Sequence, residues 1–280
     1  MDAWLFSAAL ASAFLHAAWN AAIKAHPQPR QAMAAQMVMA AALCVPGVLW
    51  VGPPPLAAWP WLLLSTAMNT GTVLALLKAY EQGGFGTVYP IARASAVLGV
   101  AAVAPLLLGE RLSATAMLGV ALVVAALALL ALDTRRSGAQ GLHGRALAWT
   151  LAAGAFIAAC VLADAQGVRR SASALSYGFT VSIVNAVVMA WINRSAGTPW
   201  AVVRACARVA VPASVVAMTS YLLILWVFRH APVAPASALR DTSAVFAMLI
   251  AVVWLKEPLH RGRLAVLLLA VAGVPLLRLG

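Results

Sequence analysis

The chain has 280 residues, of which 64% are hydrophobic and only 9% are charged, and its mean hydropathy is +0.94. No soluble core needs that much apolar surface, so the composition excludes a soluble globular protein and predicts a polytopic helical membrane protein. The net charge of +12 would suggest nucleic acid in a soluble protein, but here most Lys and Arg residues fall between apolar stretches, where they anchor and orient helices.

Apolar stretches of the length that a membrane-spanning helix needs follow one another along the chain. They run over residues 4–23, 33–51, 60–79, 86–108, 114–132, 145–164, 174–193, 209–228, 234–255 and 262–279. Proline- and glycine-rich turns separate several of them. The sequence therefore predicts an all-α membrane protein with ten transmembrane helices, short connections and no soluble domain.

The first stretch carries His16, Trp19 and Asn20 on one helix face, because their spacing is i, i+3, i+4. A structural interpretation is an interhelical hydrogen bond together with a tryptophan at the membrane interface. A functional interpretation is a cavity wall that offers an aromatic plane, an amide and a titratable imidazole. The spacing is compatible with both.

The third stretch places Asn69 beside two threonines and ends in Lys78 and Tyr80. Threonine hydroxyls ordinarily bond back to their own helix. Lys78 either extends to the membrane interface or faces inward, where it would supply a cation for a carboxylate.

The fourth and ninth stretches both combine prolines with charged residues near their start. Their polar candidates are Tyr89, Arg93, Arg240 and Asp241. We expect the prolines to break or kink these helices and free backbone carbonyls. A charge at the centre of a membrane helix costs about 2.5–3.5 kcal/mol, so each needs a partner or water. Asp241 either neutralises one of the two arginines or leaves one of them to bind a substrate carboxylate; we expect these groups to line or brace a central polar cavity.

The seventh stretch adds Tyr177 and Asn185 as candidates. Tyrosines near the ends of spans usually belong to the interfacial belt, whereas an asparagine in mid-span needs a polar neighbour. Asp241 is the one carboxylate expected well inside the membrane, which argues against obligatory proton antiport. Neither a nucleophile with its base nor a metal-ligand cluster is present in the sequence, so we expect no catalytic residue, no metal and no cofactor.

A repeat relates the two halves of the chain. Arg93 and Glu110 recur as Arg240 and Glu257, each after 147 residues, in a chain where charged residues are scarce. Two copies of one unit in a membrane protein indicate a transporter architecture. The two glutamates, each with a basic neighbour, are expected to form helix-end ion pairs or caps for the next helix.

The repeat divides the chain into a first five-helix unit at 1–134, a linker at 135–144 and a second unit at 145–280. Because five is odd, the second unit enters the membrane from the opposite side, and a pseudo-two-fold axis lies in the membrane plane. Near the span ends, eleven Lys and Arg residues flank one side and five the other. The positive-inside rule then predicts that both termini are periplasmic.

Three motifs together resemble the drug/metabolite transporter superfamily, specifically its EamA-like ten-helix branch. They are Leu15-His-Ala-Ala-Trp19-Asn20-Ala-Ala-Ile-Lys24, the paired Gly109-Glu-Arg-Leu and Lys256-Glu-Pro-Leu, and Asp164-Ala-Gln-Gly167-Val-Arg169. The resemblance implies two inverted five-helix repeats, a central cavity and alternating access. It matches Trp19 and Asn20 to the family's first-helix pair and Asp164 to an acidic position of the second half.

Bacterial members of the superfamily include exporters of amino acids and related metabolites, and other branches carry nucleotide sugars and sugar phosphates. The expected function is therefore export of a small metabolite, foremost an amino acid, across a bacterial inner membrane. The alternatives are a drug-like amphiphile, a phosphorylated metabolite and, least of all, an intramembrane enzyme or scramblase. The expected partners are a small-molecule substrate and the lipid bilayer, without nucleic acid, and a monomer is the expected form.

Overall fold

The computed structural model describes residues 1–82, 85–136, 144–192, 199–254 and 261–279. Within these ranges the chain forms eleven α-helices and one short 3-10 turn, and it contains no β-strand. The helices are α1 (Ala3–Lys24), α2 (Pro29–Val51), α3 (Trp59–Tyr80), α4 (Phe85–Leu108), α5 (Ala114–Arg136), α6 (Arg145–Arg169), α7 (Ala174–Ile192), α8 (Pro199–His230), α9 (Val233–Asp241), α10 (Ser243–Trp254) and α11 (Arg261–Leu279). The predicted all-helical class is confirmed for these residues.

Seven stretches among the described residues are long and apolar enough to cross a membrane. They are Ala3–Ile23, Gln31–Val51, Leu56–Tyr80, Val88–Leu108, Arg145–Arg169, Ala174–Ile192 and Val203–His230, and a shorter apolar stretch is Ala114–Leu129. Large hydrophobic side chains face outward, for example Trp50 and Leu106, which are 82% and 86% exposed. Such a surface is suited to lipid tails. The chain is a multi-pass membrane protein.

The eighth predicted span is longer than the apolar pattern indicated. α8 has 32 residues, from Pro199 to His230, whereas the pattern placed the span at 209–228. The early turns of α8 carry Arg204 and Arg208, both exposed, so hydropathy does not detect them as helix. At about 1.5 Å per residue α8 exceeds the apolar layer of about 30 Å, so it tilts or extends past that layer.

The ninth predicted span is not one continuous helix, because it divides at Thr242 into α9 and α10. The N–H of Thr242 donates to the carbonyl of Leu239 at 3.3 Å, and its hydroxyl donates to the same carbonyl at 2.6 Å. This tight i to i−3 turn ends α9. The prolines do not break these helices: Pro232 and Pro235 lie at the start of α9, where no N–H is needed, and Pro90 lies inside the continuous α4.

The last helices of the two halves, α5 and α11, pack antiparallel. Gly119 lies beside Leu277, and Gly273 lies beside Leu122, so the two helices run in opposite directions. A Cβ on Gly119 would lie only 2.9 Å from the Leu277 side chain and 3.0 Å from its backbone nitrogen. Small residues therefore allow the close approach, as is usual between membrane helices.

The second helices of the two halves, α2 and α7, are also antiparallel. The hydroxyl of Ser176 donates to the carbonyl of Gly52 at 2.9 Å, while Gly47 lies against the ring of Phe179. The first helix of each half also packs on the third helix of the other half: α1 packs on α8, and α6 packs on α3. The N-terminal amine donates to the carbonyl of Arg278 at 2.8 Å, which brings the two ends of the chain together.

The close approach of α5 and α11 predicts that Gly119→Leu destabilises the protein. The added side chain meets Leu277, which is fully buried, and overpacking of this kind costs about 1–3 kcal/mol. The apparent melting temperature in detergent should fall by several degrees. Ala121→Leu, at an exposed position of α5, adds a similar side chain toward lipid and should leave the melting temperature unchanged. Equal melting temperatures for the two variants would contradict this contact.

Candidate functional site

Six polar side chains from α1, α4, α8 and α9 meet inside the bundle, and we call them the arginine cluster. They are Ser12, His16, Arg93, Ser220, Arg240 and Asp241. The structure thus brings together four residues that the sequence singled out, namely His16, both arginines and Asp241. The break at Thr242 directly follows Arg240 and Asp241, so the polar residues occupy the last turn of α9.

Arg93 is the charge-compensated arginine of the cluster. Its Nη1 donates to Oδ1 of Asp241 at 2.9 Å, and the two side chains are 16% and 6% exposed. The guanidinium also lies over the ring of Tyr89, 5.2 Å from its centroid, in a cation–π contact. Of the two pairings that the sequence left open, Asp241 therefore pairs with Arg93 in the other half of the chain and not with its neighbour Arg240.

Arg240 has no comparable compensation. Its Nη1 donates to Oγ of Ser12 at 2.7 Å and lies 3.3 Å from the carbonyl oxygen of Ser220. Among the described residues, no Asp or Glu oxygen lies within 4.0 Å of its guanidinium nitrogens. Because a guanidinium stays protonated, Arg240 carries a positive charge that neutral groups solvate but no carboxylate in contact neutralises.

His16 lies between the two guanidinium groups. Its Nε2 is 3.3 Å from Nη2 of Arg93, and its Nδ1 is 3.5 Å from Nη2 of Arg240. Both arginines can only donate, and a neutral imidazole has one acceptor nitrogen, so His16 accepts from one arginine at a time. A proton on both nitrogens would leave no acceptor and would add a third positive charge. The arrangement therefore requires a neutral His16.

Ser12 and Ser220 join α1 to α8 next to Arg240. Each hydroxyl donates to the backbone carbonyl of the other residue at 2.7 Å, and both residues are fully buried. The oxygen of Ser12 also accepts from Arg240, so the helix contact and the arginine share one atom. Sequence reasoning missed Ser12, although it lies four residues before His16 and so on the same helix face.

A second group, the carboxylate cluster, adjoins the first on α8, where Tyr221 follows Ser220. Its members come from α3, α6, α7 and α8 and are Ser65, Asp164, Tyr177 and Tyr221. Oδ1 of Asp164 accepts from Ser65 Oγ at 2.5 Å and from Tyr177 OH at 3.1 Å. Oδ2 accepts from Tyr221 OH at 2.8 Å. Asp164 is only 5% exposed, and its donors are all neutral hydroxyls.

This cluster adds a second buried carboxylate to Asp241. Asp164 lies in the last turns of the apolar stretch Arg145–Arg169 and is buried. Gly167, one turn later, makes the geometry possible, because a Cβ there would overlap the ring of Tyr177. The sequence did not indicate this burial, because a carboxylate near the end of a helix is ordinarily solvated.

The remaining predicted residues lie outside the two clusters. The ring of Trp19 meets His16 edge to face at 5.3 Å, and its Nε1 is buried without a partner, as is Oδ1 of Asn185. The amide of Asn20 donates to the carbonyl of His16 at 2.7 Å and so bonds back to its own helix. Asn69 and Tyr80 are half-buried on α3.

Lys78 lies at an exposed helix end. Its Nζ is 3.2 Å from a carboxylate oxygen of Glu81, with side chains 55% and 59% exposed. The structure therefore does not bring Lys78 to the arginine cluster, and this position fits the alternative in which the side chain extends to the membrane interface.

Glu110 caps a helix, but not the next one along the chain. Its Oε2 accepts from the N–H of Val233 at 2.7 Å, at the start of α9. Its Oε1 accepts from Arg169 at 2.6 Å, so its basic partner is not the neighbouring Arg111. The repeated Lys256-Glu257 lies outside the described residues.

A cavity of about 560 Å³ lies elsewhere, at the turn after α1 and the early part of α8. His26, Arg204 and Arg208 line it, and no member of either cluster does. This cavity is therefore a basic groove toward one end of α8, separate from the two clusters.

Comparison with known proteins gives one family match in each half of the chain. The sequence matches the EamA-like transporter family over residues 2–132 and 144–279. No curated protein matches it. Among 23 matching chains of solved structures, one titled "Crystal structure of protein" aligns with a TM-score of 0.74, covers 98% of this chain and 95% of its own, and is 19% identical. At that identity the similarity shows the fold alone.

The Arg93–Asp241 contact predicts a thermodynamic coupling between α4 and α9. Asp241→Asn leaves a buried guanidinium without its carboxylate and should destabilise the protein by about 3–5 kcal/mol. Adding Arg93→Gln to Asp241→Asn removes the unpaired charge and should restore most of the lost stability. Apparent melting temperatures in detergent measure both effects.

The exposed pair of Lys78 and Glu81 is the matched control for this cycle. Lys78→Gln and Glu81→Gln should each change stability by less than about 1 kcal/mol, because water solvates the remaining charge. Additive losses in the double variant Arg93→Gln with Asp241→Asn would show that the two side chains are not coupled.

Proposed function

The chain belongs to the EamA-like transporter family, and from this premise we propose that it exports amino acids, including aromatic or large neutral ones, across a bacterial inner membrane. A transporter is a membrane protein that binds its cargo by contacts and not by covalent chemistry, so no catalytic residue is required. The proposal concerns the substrate, the direction and the route, which runs through a central polar site.

We propose ten membrane crossings, with α9 and α10 together forming the ninth, arranged as two inverted five-helix repeats. The antiparallel contacts of α5 with α11 and of α2 with α7 support this arrangement. Helices related by a two-fold axis in the membrane plane must run in opposite directions where they meet on that axis. The repeats then cover 1–134 and 145–280, and the two clusters lie between them.

The observation that carries the substrate assignment is the charge of Arg240. This half-buried guanidinium touches only neutral groups among the described residues. A buried cation without an acidic contact is costly, and a carboxylate from the substrate would supply the missing partner. Arg93 already has Asp241, so we assign Arg240 to bind the substrate carboxylate and Arg93 to brace the site.

Other polar and aromatic groups of the described helices would suit the rest of an amino acid. Trp19 and Asn185 each keep one buried polar atom without a protein partner, which a bound substrate or water can satisfy. We propose that the site is completed by aromatic and amide groups, which fit an aromatic or large neutral side chain. They are Trp19, Asn20, Asn69, Tyr80, Tyr89, Tyr177 and Asn185.

Alternating access needs a structural element that can adopt two conformations. We propose that the break between α9 and α10 at Thr242 is this element. Half-helices that meet at a binding site can rotate about the break without disturbing the rest of the bundle. The reciprocal bonds of Ser12 and Ser220 hold α1 to α8 beside Arg240, so a substrate carboxylate at this arginine would compete with the Ser12 oxygen for the guanidinium N–H. Both termini are proposed to be periplasmic, and a monomer is sufficient for this route.

A phosphorylated metabolite is the second candidate substrate. Two arginines flank His16, and a phosphate dianion favours more than one guanidinium. Asp241 weakens this assignment, because it already neutralises one of the two charges. A drug-like amphiphile has less support, since the two clusters contain four charged side chains, namely Arg93, Asp164, Arg240 and Asp241.

The function is tested with purified protein in liposomes and a panel of radiolabelled amino acids. We expect counterflow of at least one aromatic or large neutral amino acid, with glucose 6-phosphate as the competitor for the second candidate. No transport of any amino acid, with or without a pH gradient, would overturn the proposal. Inhibition by glucose 6-phosphate but by no amino acid would favour the phosphorylated class instead.

The role of Arg240 is tested with three compounds. L-phenylalanine carries both an ammonium and a carboxylate, N-acetyl-L-phenylalanine carries only the carboxylate, and phenethylamine carries only the ammonium. Arg240→Gln should weaken binding of the first two by more than about tenfold and spare phenethylamine, because it lacks the group that the arginine holds. Isothermal titration calorimetry on the purified protein gives each Kd. An equal loss for all three compounds would assign Arg240 to the fold instead.

A further inference from the structure

Asp164 is a buried carboxylate with an unused acceptor position. An ionised carboxylate offers about four lone-pair positions. Ser65 and Tyr177 use both positions of Oδ1, whereas Tyr221 uses only one of Oδ2. The open position is therefore on Oδ2, next to Tyr221, which is only half-buried.

No cation in contact neutralises Asp164. Its hydrogen-bond donors are three hydroxyls, and among the described residues no Lys, Arg or His nitrogen lies within 4.0 Å of its oxygens. Hydroxyl donors stabilise a carboxylate but leave its charge in place. A full negative charge in a low-dielectric interior favours a cationic ligand.

Among the described residues, the two clusters contain one ion pair in contact and two opposite charges without a charged contact. Arg93 and Asp241 form the pair, while Arg240 and Asp164 each touch only neutral groups. The arginine and carboxylate clusters adjoin on α8. Arg240 and Asp164 thus offer a positive and a negative charge at separate places. A zwitterion, which carries one charge of each sign, matches this arrangement.

We propose that Asp164, with Tyr221 and Tyr177, forms the subsite for the substrate's ammonium group. The proposal rests on the proposed function, in which Arg240 binds the substrate carboxylate. The ammonium donates to the open position on Oδ2, and the tyrosine hydroxyls can turn to accept its other protons. The two rings also offer faces for a cation, as in other ammonium sites.

The same open position could hold a proton, which would make Asp164 a coupling site. The charged and titratable groups that face it are Cys160 on α6, Tyr177 on α7, Tyr221 on α8 and Arg240 on α9. From α3 it meets Ser65, and Arg93 on α4 is turned toward Asp241. A proton would neutralise Asp164 and leave the positive charge of Arg240 without a negative charge in the adjoining cluster. An ammonium leaves Asp164 ionised, so both charges remain. The ammonium is therefore the assignment that we make.

The test is Asp164→Asn with the three compounds used for Arg240. We expect binding of L-phenylalanine and phenethylamine to weaken by more than about tenfold, while N-acetyl-L-phenylalanine is unaffected, because it has no ammonium group. This pattern is the mirror image of the one for Arg240→Gln. Glu81→Gln, which removes an exposed carboxylate at the end of α3, is the matched control and should change none of the three Kd values.

Failure of this inference is distinct from failure of the proposed function. If wild-type protein binds and transports no amino acid, the function itself is wrong. If wild type transports phenylalanine but Asp164→Asn weakens all three compounds equally, or none, then Asp164 is not the ammonium subsite. Loss of the response to a pH gradient with unchanged phenylalanine binding would make Asp164 a proton site, which also overturns the inference.

Asp164→Glu keeps the test decisive if the asparagine variant does not fold. It retains the negative charge and shifts it by one methylene. We expect this variant to retain measurable binding of phenethylamine, with weaker binding of the ammonium-bearing compounds only and an unchanged Kd for N-acetyl-L-phenylalanine. A uniform change across the three compounds would contradict the assignment.

Discussion

The structure depends on how charges are matched inside a low-dielectric bundle. A guanidinium or carboxylate there must meet an opposite charge or a full set of hydrogen-bond partners. The pair of Arg93 and Asp241 meets the first condition and connects α4 to α9 across the two halves. Asp164 meets the second condition in part, because three hydroxyls from three other helices donate to it and one acceptor position of Oδ2 stays open. These contacts fix which helices meet at the centre.

The two arginines recur at equal spacing in the sequence, but their contacts differ. Arg93 and Arg240 occupy equivalent positions, but Ala94 follows the first and Asp241 follows the second. The one carboxylate reaches across to the arginine of the other half, so the arginine beside it in sequence stays without an acidic contact. In the proposed function this difference orients a substrate with distinct ends, because only one of the two arginines lacks a carboxylate partner.

The sequence was a good guide to part of the candidate site. His16, Arg93, Arg240 and Asp241 were singled out because charge and imidazole are rare in apolar stretches, and they meet in one cluster. Ser12 and Ser65 were missed, since serines occur in many membrane helices without forming a site. Lys78 was a candidate on charge alone, yet it lies at an exposed helix end beside Glu81. Which side of a helix faces inward depends on neighbours that local pattern does not identify.

The sequence by itself determined that the chain is helical and spans a membrane, because hydropathy over about 20 residues is a local property. It also identified the repeat of Arg93 and Glu110, since equal spacing needs no structure. Only the tertiary structure decided the partners: Asp241 with Arg93, Glu110 with the start of α9, and Asp164 with two tyrosines. Such contacts join residues far apart in the chain, and the free energy of pairing them depends on packing that no single stretch contains.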